Sequence, residues 1–296
     1  MTGKPQQLTS FGFIGLGDMG APMAKNLAGK LPDDRSQQLY LYDINLQADR
    51  VPATAIVAES MSDIAANAEI LFMSVPDGRS SMAVVTELLA ATDSRVRCLI
   101  NLSTVGIPDT ESIVELIPAG TFEYIDAPVS GGKTGAVNAT ITIMWSGSRL
   151  LFDELQSVLL TFAKSVFFVG EKPGQGQALK LLNNFLSGVA MTATSEAVRF
   201  GLHHGLDMKT LLEVVHVSTG QNTAISDKFP NRVLTETFDA GFRMALMQKD
   251  ISLYREGVNA ASLPSNIVNE VSRYWDQGAE QYPDGDFTEI FKLIDR

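Results

Sequence analysis

A lysine and two asparagines lie close together inside an otherwise apolar stretch of the chain. The stretch runs from Gly174 to Leu202, contains no proline, and carries Lys180, Asn183 and Asn184. If it is helical, Lys180 and Asn184 are one turn apart, and their side chains can converge on one small molecule. The alternative for these residues taken alone is a solvated lysine beside two amides on a helix surface.

The spacing of the apolar residues predicts the element that positions this cluster. They recur at intervals of three and four, which places them on one side of a helix. The predicted helix is about 25 to 28 residues long, or roughly 40 Å. A helix of that length can leave one domain and become the central element of another. Its apolar side consists of Leu179, Leu182, Leu186, Val189, Ala193, Ala197 and Phe200.

A second group of residues is suited to bind a dinucleotide. Its sequence is Gly15-Leu16-Gly17-Asp18-Met19-Gly20, between an apolar strand at 11–14 and a helix at about 19–29. A second strand, 39–42, ends at Asp43. Three glycines with this spacing, followed by an acidic residue about 20 positions later, are typical of a dinucleotide site. The alternative for Asp43 alone is a turn residue after a strand.

Each glycine has a physical task in such a turn. Gly15 allows the tight turn, Gly17 lets the backbone approach the pyrophosphate, and Gly20 lets the helix pack closely on the strand. The helix N-terminus presents unpaired N–H groups and the positive end of its dipole to the phosphates. Asp43 can accept both ribose hydroxyls of NAD, and it repels a 2′-phosphate. We therefore expect NAD rather than NADP, since the three residues that follow Asp43 include no arginine.

Apolar strands continue to alternate with helices up to residue 170. This alternation predicts an α/β fold with a doubly wound, mostly parallel sheet that is covered on both faces. Ligands bind beyond the carboxyl ends of such strands, which places Val75-Pro76, Ser103-Thr104 and Ala127-Pro128 around the nicotinamide half of the cofactor. The predicted strands are 56–58, 69–75, 97–102, 123–126, 140–145 and 165–169, and the predicted helices are 61–68, 80–89, 109–116 and 150–161.

The segment from Asp126 to Gly132 has two features that a substrate loop needs. Gly131 and Gly132 can open backbone N–H groups to an anion, and Ser130 adds a hydroxyl donor. An ordinary glycine-rich turn is the alternative for this segment taken alone.

The pattern changes after Gly170, where a glycine-rich break, 169–174, precedes helical segments only. We therefore predict a dinucleotide-binding domain at 1–170 and an all-α domain at 171–296. The broad apolar surface of such a helical domain is commonly buried between copies, so we expect a homodimer or homotetramer. The predicted helices are 175–203, 207–217, 225–236, 242–258, 264–281 and 286–295.

Composition excludes several classes of protein. With 45% hydrophobic and 19% charged residues, the chain is typical of a soluble globular protein, and its net charge of −11 argues against binding nucleic acid. The one cysteine, Cys98, allows no internal disulfide and no cysteine cluster, and its apolar neighbours predict that it is buried. No histidine cluster has ligand spacing, so no metal is expected. The polar N-terminal residues 1–9 and the absence of a long apolar run favour the cytoplasm, without membrane association.

Four ordered blocks of the sequence resemble those of the β-hydroxyacid dehydrogenases. Phe13 to Leu27 is similar to the N-terminal signature of that family, which includes 3-hydroxyisobutyrate dehydrogenase, tartronate semialdehyde reductase and, more distantly, 6-phosphogluconate dehydrogenase. Asp126 to Gly132 resembles the substrate-binding motif, 174–184 the catalytic helix, and 242–250 the block whose lysine reaches the cofactor. The departures are Trp145, where the family usually has a small or aliphatic residue, and a long loop at 31–38.

The resemblance implies a function and a role for particular residues. It implies a dinucleotide-binding domain joined to an all-α domain, and an NAD(P)-dependent oxidoreductase that interconverts a small 3-hydroxy acid and its semialdehyde. Lys180 takes the place of the catalytic lysine. Ser130, Gly131, Gly132, Asn184 and Phe242 would bind a small carboxylate-bearing substrate, and Val75, Pro76, Ser80, Thr104 and Lys249 would join the glycine turn and Asp43 at the cofactor.

Lys180 is also the best candidate for proton transfer because no histidine occupies a motif. His203, His204 and His216 fall late in helical stretches and are typical of surface or capping positions. A lysine with a pKa of about 10.4 is a poor acid-base group, so we expect an apolar cleft to lower that pKa.

Two other functions are compatible with the same fold. One is an imine reductase, and the other is a cofactor-binding module without catalysis. Both kinds of relative typically lack the lysine, so the presence of Lys180 disfavours both.

Overall fold

The computed structural model describes residues 10–32 and 37–294. The predicted polar arm, 1–9, and part of the predicted long loop, 31–38, lie outside the described residues. The chain divides into two compact units, one up to Lys180 and one from Leu181 onward. The division falls inside one long helix, and the sequence-based boundary at residue 170 stays a prediction.

The first unit contains a sheet in the order expected for a dinucleotide-binding fold. Its strands are β1 (Ser10–Ile14), β2 (Gln38–Tyr42), β3 (Ile56–Val57), β4 (Ile70–Met73), β5 (Cys98–Asn101), β6 (Glu123–Asp126), β7 (Val129–Ser130), β8 (Ile141–Ser146) and β9 (Ala163–Gly170). They are arranged β3-β2-β1-β4-β5-β6-β8-β7, with β9 on β8. The pairs from β3 to β6 are parallel, whereas β8 is antiparallel to β6 and β7. The mostly parallel sheet is therefore confirmed.

Helices pack on the sheet and bury both of its faces. They are α1 (Gly20–Ala28), α2 (Met61–Asn67), α3 (Gly78–Ala90), α4 (Ile107–Leu116), α5 (Gly132–Val137) and α6 (Arg149–Leu159). Successive residues of β4 belong to different cores: Phe72 packs with Phe13 on one face, and Leu71 packs with Ile64 on the other. The continuous apolar run of β4 thus reflects burial on both sides.

The second unit is helical among its described residues. The helices are α7 (Gln175–His203), which crosses the division, α8 (Met208–His216), α9 (Met244–Ala260), α10 (Asn266–Gln281) and α11 (Ile290–Leu293). A π-helical segment, Ala224–Val233, and a 3₁₀ turn, Phe287–Glu289, complete the unit. Its core includes Phe229, Ile251 and Trp275, each of them fully buried.

The prediction for α7 was correct in length, but its apolar stripe does not face a core. The stripe is largely exposed: 44% at Leu182, 58% at Leu186 and 68% at Phe200. The opposite side is buried and carries polar residues, among them Gln177, Lys180 and Asn184. Apolar periodicity identified the helix, whereas its buried face combines these polar residues with Leu181, Met191 and Val198.

Other differences have local causes. The segment predicted as an ordinary helix at 225–236 is π-helical and contains Pro230, which cannot donate a backbone hydrogen bond. The helix predicted at 242–258 begins at Met244, since the backbone of Arg243, the residue before it, is extended rather than helical. The helix predicted at 286–295 starts as a 3₁₀ turn capped by Asp286, and α11 ends at Leu293. Strand β7 and helix α5 are very short and were not predicted from the sequence.

Cys98, Trp145 and the histidines can also be compared with their predictions. Cys98 is completely buried, as predicted, and burial raises the pKa of its thiol. Trp145 is buried in β8 and makes an edge contact with Phe152, with 5.8 Å between ring centroids. The three histidines are exposed at helix ends, as predicted.

In the part of the chain that the structure describes, no helix is long and apolar enough to cross a membrane. The cellular compartment stays a prediction.

Candidate active site

The turn after β1 contains two glycines that the fold itself requires, Gly15 and Gly20, and one, Gly17, that borders open space. Gly15 has a φ of +87°, and a Cβ there would lie 2.2 Å from the carbonyl oxygen of Ser74. A Cβ on Gly20 would lie 1.9 Å from the carbonyl oxygen of Gly15. A Cβ on Gly17 would meet nothing within 4 Å. The protein itself does not fill the space over Gly17, as expected where a ligand approaches the backbone.

Asp43 lies at the carboxyl end of β2 and is hydrogen-bonded to this turn. Its Oδ2 accepts from the backbone N–H of Leu16 at 2.6 Å, and its Oδ1 accepts from the N–H of Asn45 at 2.7 Å. An ionised carboxylate offers about four lone-pair sites, so each oxygen retains capacity for a ribose hydroxyl.

Arg50 is a residue of the turn region that the sequence analysis missed. Its Nη1 donates to the carbonyl oxygen of Leu16 at 2.8 Å, and its Nη2 lies 3.4 Å from Asp18. A short 3₁₀ turn, Ala48–Arg50, brings the side chain back toward the glycines. No local sequence signal indicated this contact, which joins residues 34 positions apart.

The carboxyl ends of β4 and β5 are joined by hydrogen bonds. The N–H of Val75 donates to Ser103 Oγ at 2.9 Å, and the N–H of Ser103 donates to Asn101 Oδ1 at 3.0 Å. Thr104 follows directly and is half-buried. Val75 and Thr104, predicted to lie beside the nicotinamide, are therefore at adjacent strand ends.

Pro76 and Ser80 lie at the start of α3. Pro76 is exposed, and the N–H of Ser80 donates to the capping residue Asp77 at 2.8 Å. Ser80 is thus in the first turn of the helix that follows β4, and its predicted role at the cofactor stays a prediction.

The predicted substrate loop is the junction of β7 and α5. Ser130 pairs with Thr142 of β8, and Gly131 and Gly132 follow with φ values of +135° and +62°. A Cβ on Gly132 would meet nothing within 4 Å. The junction keeps backbone in a conformation that favours glycine and leaves open space beside it.

Asp126 anchors the start of α7. It is completely buried, and its Oδ1 accepts from Ser146 Oγ and from the N–H of Gly174 at 2.8 Å. Its Oδ2 accepts from the N–H of Gln177 at 2.9 Å, and Ser146 Oγ accepts from the N–H of Gly176 at 2.9 Å. Burial raises the pKa of Asp126 to about 6, against the lowering effect of these hydrogen bonds. Asp126 therefore caps a helix, although the motif that begins with it resembles a substrate loop.

Gln177 and Lys180 lie on the buried side of α7, in its first two turns. The Nε2 of Gln177 donates to the carbonyl oxygen of Ser103 at 3.0 Å, and its Oε1 accepts from the N–H of Val105 at 3.1 Å. Lys180 is one turn further along and is 7% exposed. The helix that carries the predicted catalytic lysine is thus hydrogen-bonded to the carboxyl end of β5.

Comparisons with known proteins agree with this geometry. Residues 10–170 match the family described as the NAD binding domain of 6-phosphogluconate dehydrogenase. Residues 174–294 match the family described as NAD-binding of NADP-dependent 3-hydroxyisobutyrate dehydrogenase. Together these two matches cover residues 10–170 and 174–294, which is nearly the whole chain.

The chain belongs to the β-hydroxyacid dehydrogenase family. It is 31% identical over 274 residues to 2-(hydroxymethyl)glutarate dehydrogenase of Eubacterium barkeri, covering 90% of this chain and 88% of that protein. It is 32% identical to the mitochondrial 3-hydroxyisobutyrate dehydrogenase of Drosophila melanogaster, covering 86% and 79%. The solved 3-hydroxyisobutyrate dehydrogenase of Mycobacterium tuberculosis with L-serine superposes with a TM-score of 0.87 at 27% identity, covering 98% and 100%.

As a β-hydroxyacid dehydrogenase, the protein is an oxidoreductase that uses a nicotinamide cofactor. The residues of the first unit fit that cofactor, since open space over Gly17 lies beside the N-terminus of α1. The roles of Asp43 at the ribose and of Val75 and Thr104 beside the nicotinamide stay predictions.

The second unit of this dehydrogenase brings two predicted residues to one carboxylate. The Nδ2 of Asn184 donates to Asp250 Oδ2 at 2.5 Å, and the Nζ of Lys249 lies 3.4 Å from Asp250 Oδ1. Asp250 is almost completely buried, and the sequence analysis gave it no role.

Phe242, also in the second unit, is joined to a C-terminal segment of the chain. Its N–H donates to Asp286 Oδ2 at 3.2 Å, and its ring makes an edge contact with Phe287 at 5.9 Å between centroids. The predicted roles of Asn184, Phe242 and Lys249 toward substrate and cofactor stay predictions.

Proposed function

We propose that this enzyme interconverts a small 3-hydroxy acid and its semialdehyde, with NAD as cofactor and Lys180 as the general acid and base. The observation that carries the proposal is the placement of Lys180 on the buried side of α7, one turn after the residue that binds the Ser103–Val105 backbone. A lysine there is held at the edge of the sheet where the nicotinamide is expected. The named activities of the relatives supply the substrate class.

Hydride transfer at a carbon that bears oxygen requires a proton to move at that oxygen. When bound, the nicotinamide supplies or accepts the hydride. Lys180 donates the proton in reduction and accepts it in oxidation. Ser130, Gly131 and Gly132 hold the substrate carboxylate with a hydroxyl and backbone N–H groups, and Asn184 orients the reacting oxygen.

The preference for NAD is supported by Asp43. A 2′-phosphate beside this carboxylate would be repelled, whereas two ribose hydroxyls can donate to it. Arg50, a cation of the turn region, donates to the Leu16 carbonyl and to Asp18, and we assign it to holding the turn rather than to a 2′-phosphate.

A homo-oligomer is supported by the exposed stripe of α7 in the second unit. Leu182, Leu186 and Phe200 lie on one side of this helix, and each of them is exposed in the single chain. Interface cores are depleted in charge, and a helix stripe repeated on a second copy can pack on itself about a two-fold axis. We therefore propose a second copy of the chain as the partner of this stripe.

The test of the function is a kinetic screen combined with one variant. NADH and NADPH are assayed with three-carbon and four-carbon semialdehydes, and the reverse reaction with 3-hydroxyisobutyrate, serine, glycerate and 4-hydroxybutyrate. Lys180→Ala should keep NADH binding and lose turnover by about 10³-fold, the range of general acid-base catalysis. Lys172→Ala, at an exposed lysine just before α7, is the control and should behave as wild type.

The outcomes separate the proposal from its alternatives. Wild-type turnover in Lys180→Ala would remove the assigned role. Activity on cyclic imines in place of hydroxy acids would favour an imine reductase, and cofactor binding without turnover on any substrate would favour a non-catalytic module.

A further inference from the structure

We propose that Gln177 is a positioning residue for Lys180. Its side-chain amide fixes the distance between the first turn of α7 and the backbone around Thr104, and so holds the lysine beside the nicotinamide site. This inference rests on the function proposed above and deepens it.

The side-chain amide of Gln177 makes two hydrogen bonds to the backbone, and these fix its orientation. Its donor faces the carbonyl oxygen of Ser103 at 3.0 Å, and its acceptor faces the N–H of Val105 at 3.1 Å. These two peptide groups flank Thr104, and the side chain is completely buried. An amide has one donor side and one acceptor side, so both bonds are made together or lost together.

The bonds of Gln177 continue into the neighbouring strand. Ser103, whose carbonyl oxygen accepts from Gln177, also accepts from the N–H of Val75 through its Oγ at 2.9 Å. The ends of β4 and β5 and the start of α7 therefore form one hydrogen-bonded group. Lys180 follows on the same rigid helix, about 4.5 Å further along the axis at ~1.5 Å per residue.

The role of Gln177 differs from that of Asp126. Asp126 and Ser146 bind the backbone N–H groups of Gly174, Gly176 and Gln177, and they hold the start of the helix in place. The Gln177 side chain is bonded instead to the segment that carries Thr104. Removing the Gln177 side-chain amide leaves the helix cap intact, and the distance between Lys180 and the segment that carries Thr104 is then no longer fixed. A shift of about 1 Å in such a spacing can reduce turnover by about 10²-fold.

Two variants test the inference. Gln177→Met has a similar length and removes both hydrogen bonds, whereas Gln177→Glu keeps an acceptor for Val105 and loses the donor to Ser103. In both we expect kcat to fall about 30- to 100-fold, because ~1 Å of misplacement acts on the chemical step. The Kd for NADH and the KM for the substrate should stay within about threefold, and the deuterium isotope effect on kcat with 4-deuterated NADH should rise.

The control is a glutamine of the same turn. Gln175 is exposed, and its Oε1 accepts from the N–H of Lys172 at 3.0 Å, so its bond stays local. Gln175→Met should keep the wild-type kcat and isotope effect. Circular dichroism and thermal unfolding establish that each variant is folded, and Gln177→Glu decides if Gln177→Met is insoluble.

A folded Gln177 variant with wild-type kcat would overturn this inference alone. So would a fall in kcat matched by equal weakening of NADH binding, because that result describes a general loss of structure. A wild-type protein that binds NADH and turns over no substrate of the screen would remove the proposed function and this inference together.

Discussion

Replacing Asp126 with asparagine should change how the stability of the protein depends on pH. The carboxylate is completely buried and accepts hydrogen bonds from Ser146, Gly174 and Gln177. Asparagine has nearly the same shape, but it has one acceptor oxygen and carries no charge. The substitution therefore has two effects of opposite sign on the free energy of unfolding.

The first effect is a lost acceptor. The amide nitrogen of asparagine would face a backbone N–H, and a buried donor without a partner costs about 1–3 kcal/mol at any pH. The second effect is the removal of a charge whose burial is unfavourable. Burial raises the pKa of Asp126 from 3.8 to about 6 in the folded protein. Each unit is worth about 1.4 kcal/mol, so the ionised group lowers stability by about 3 kcal/mol at pH 7.5.

The sign follows from the raised pKa. A carboxyl group whose folded pKa is above its unfolded value contributes most to stability below the unfolded pKa, and that contribution is lost as pH rises through about 6. At pH 4.5 the penalty is about 1 kcal/mol, and at pH 7.5 it is about 3 kcal/mol. Asparagine does not ionise, so the Asp126→Asn variant does not have this pH-dependent loss of stability. The free energy of unfolding of the wild type minus that of Asp126→Asn should therefore be about 2 kcal/mol smaller at pH 7.5 than at pH 4.5.

The assay is urea unfolding of both proteins at pH 4.5, 6.0 and 7.5. Taking the difference between them cancels the titration of the other carboxylates. The control is Asp153→Asn, at an exposed residue paired with Arg149, whose difference from wild type should stay within about 0.5 kcal/mol at every pH. A difference between wild type and Asp126→Asn that is constant with pH would refute the reasoning about the buried charge.

Two further predictions concern the cofactor and the oligomer. Asp43→Asn should keep an acceptor for the Leu16 N–H and remove the negative charge. The ratio of the Kd for NADPH to the Kd for NADH should therefore fall about tenfold. Fluorescence titration measures both Kd values, and an unchanged ratio would contradict the role of the charge. Leu186→Asp combined with Phe200→Asp should convert the oligomer to monomers in light scattering after size exclusion, because both side chains are exposed in the single chain. Leu150→Asp, at a leucine that is 81% exposed on α6, should leave the mass unchanged, and a monomeric wild type would end this proposal.

The elements that the sequence predicted well are those with strong local signals. Residues 10–32 and 37–43 show the strand, turn, helix and strand as expected, since glycine spacing and apolar runs act within a few residues. The limits of α7 were also predicted, because a helix without proline and with a regular apolar repeat has few alternatives. Short elements such as β7 and α5 carry too few residues to show a period.

The contacts that build the site were not predictable in the same way. Gln177 reaches Ser103 across 74 positions, and its N–H reaches Asp126 across 51. A glutamine inside a helix gives no local sign of such a partner. The apolar repeat of α7 identified a stripe on one side of the helix, but it gave no sign that this stripe is largely exposed in the single chain while Gln177 and Val198 on the other side are buried. Both outcomes depend on contacts with residues that are distant in the sequence.

The three glycines after β1 should differ in how well they tolerate substitution under selection for folding and under selection for activity. Gly15 and Gly20 are crowded by backbone atoms of the protein itself, whereas Gly17 borders empty space. A library screened only for folded, soluble protein should therefore retain the first two glycines and let the third drift. A library screened for growth on the substrate should retain all three, and the position that separates the two populations marks where the ligand, rather than the chain, imposes the sequence.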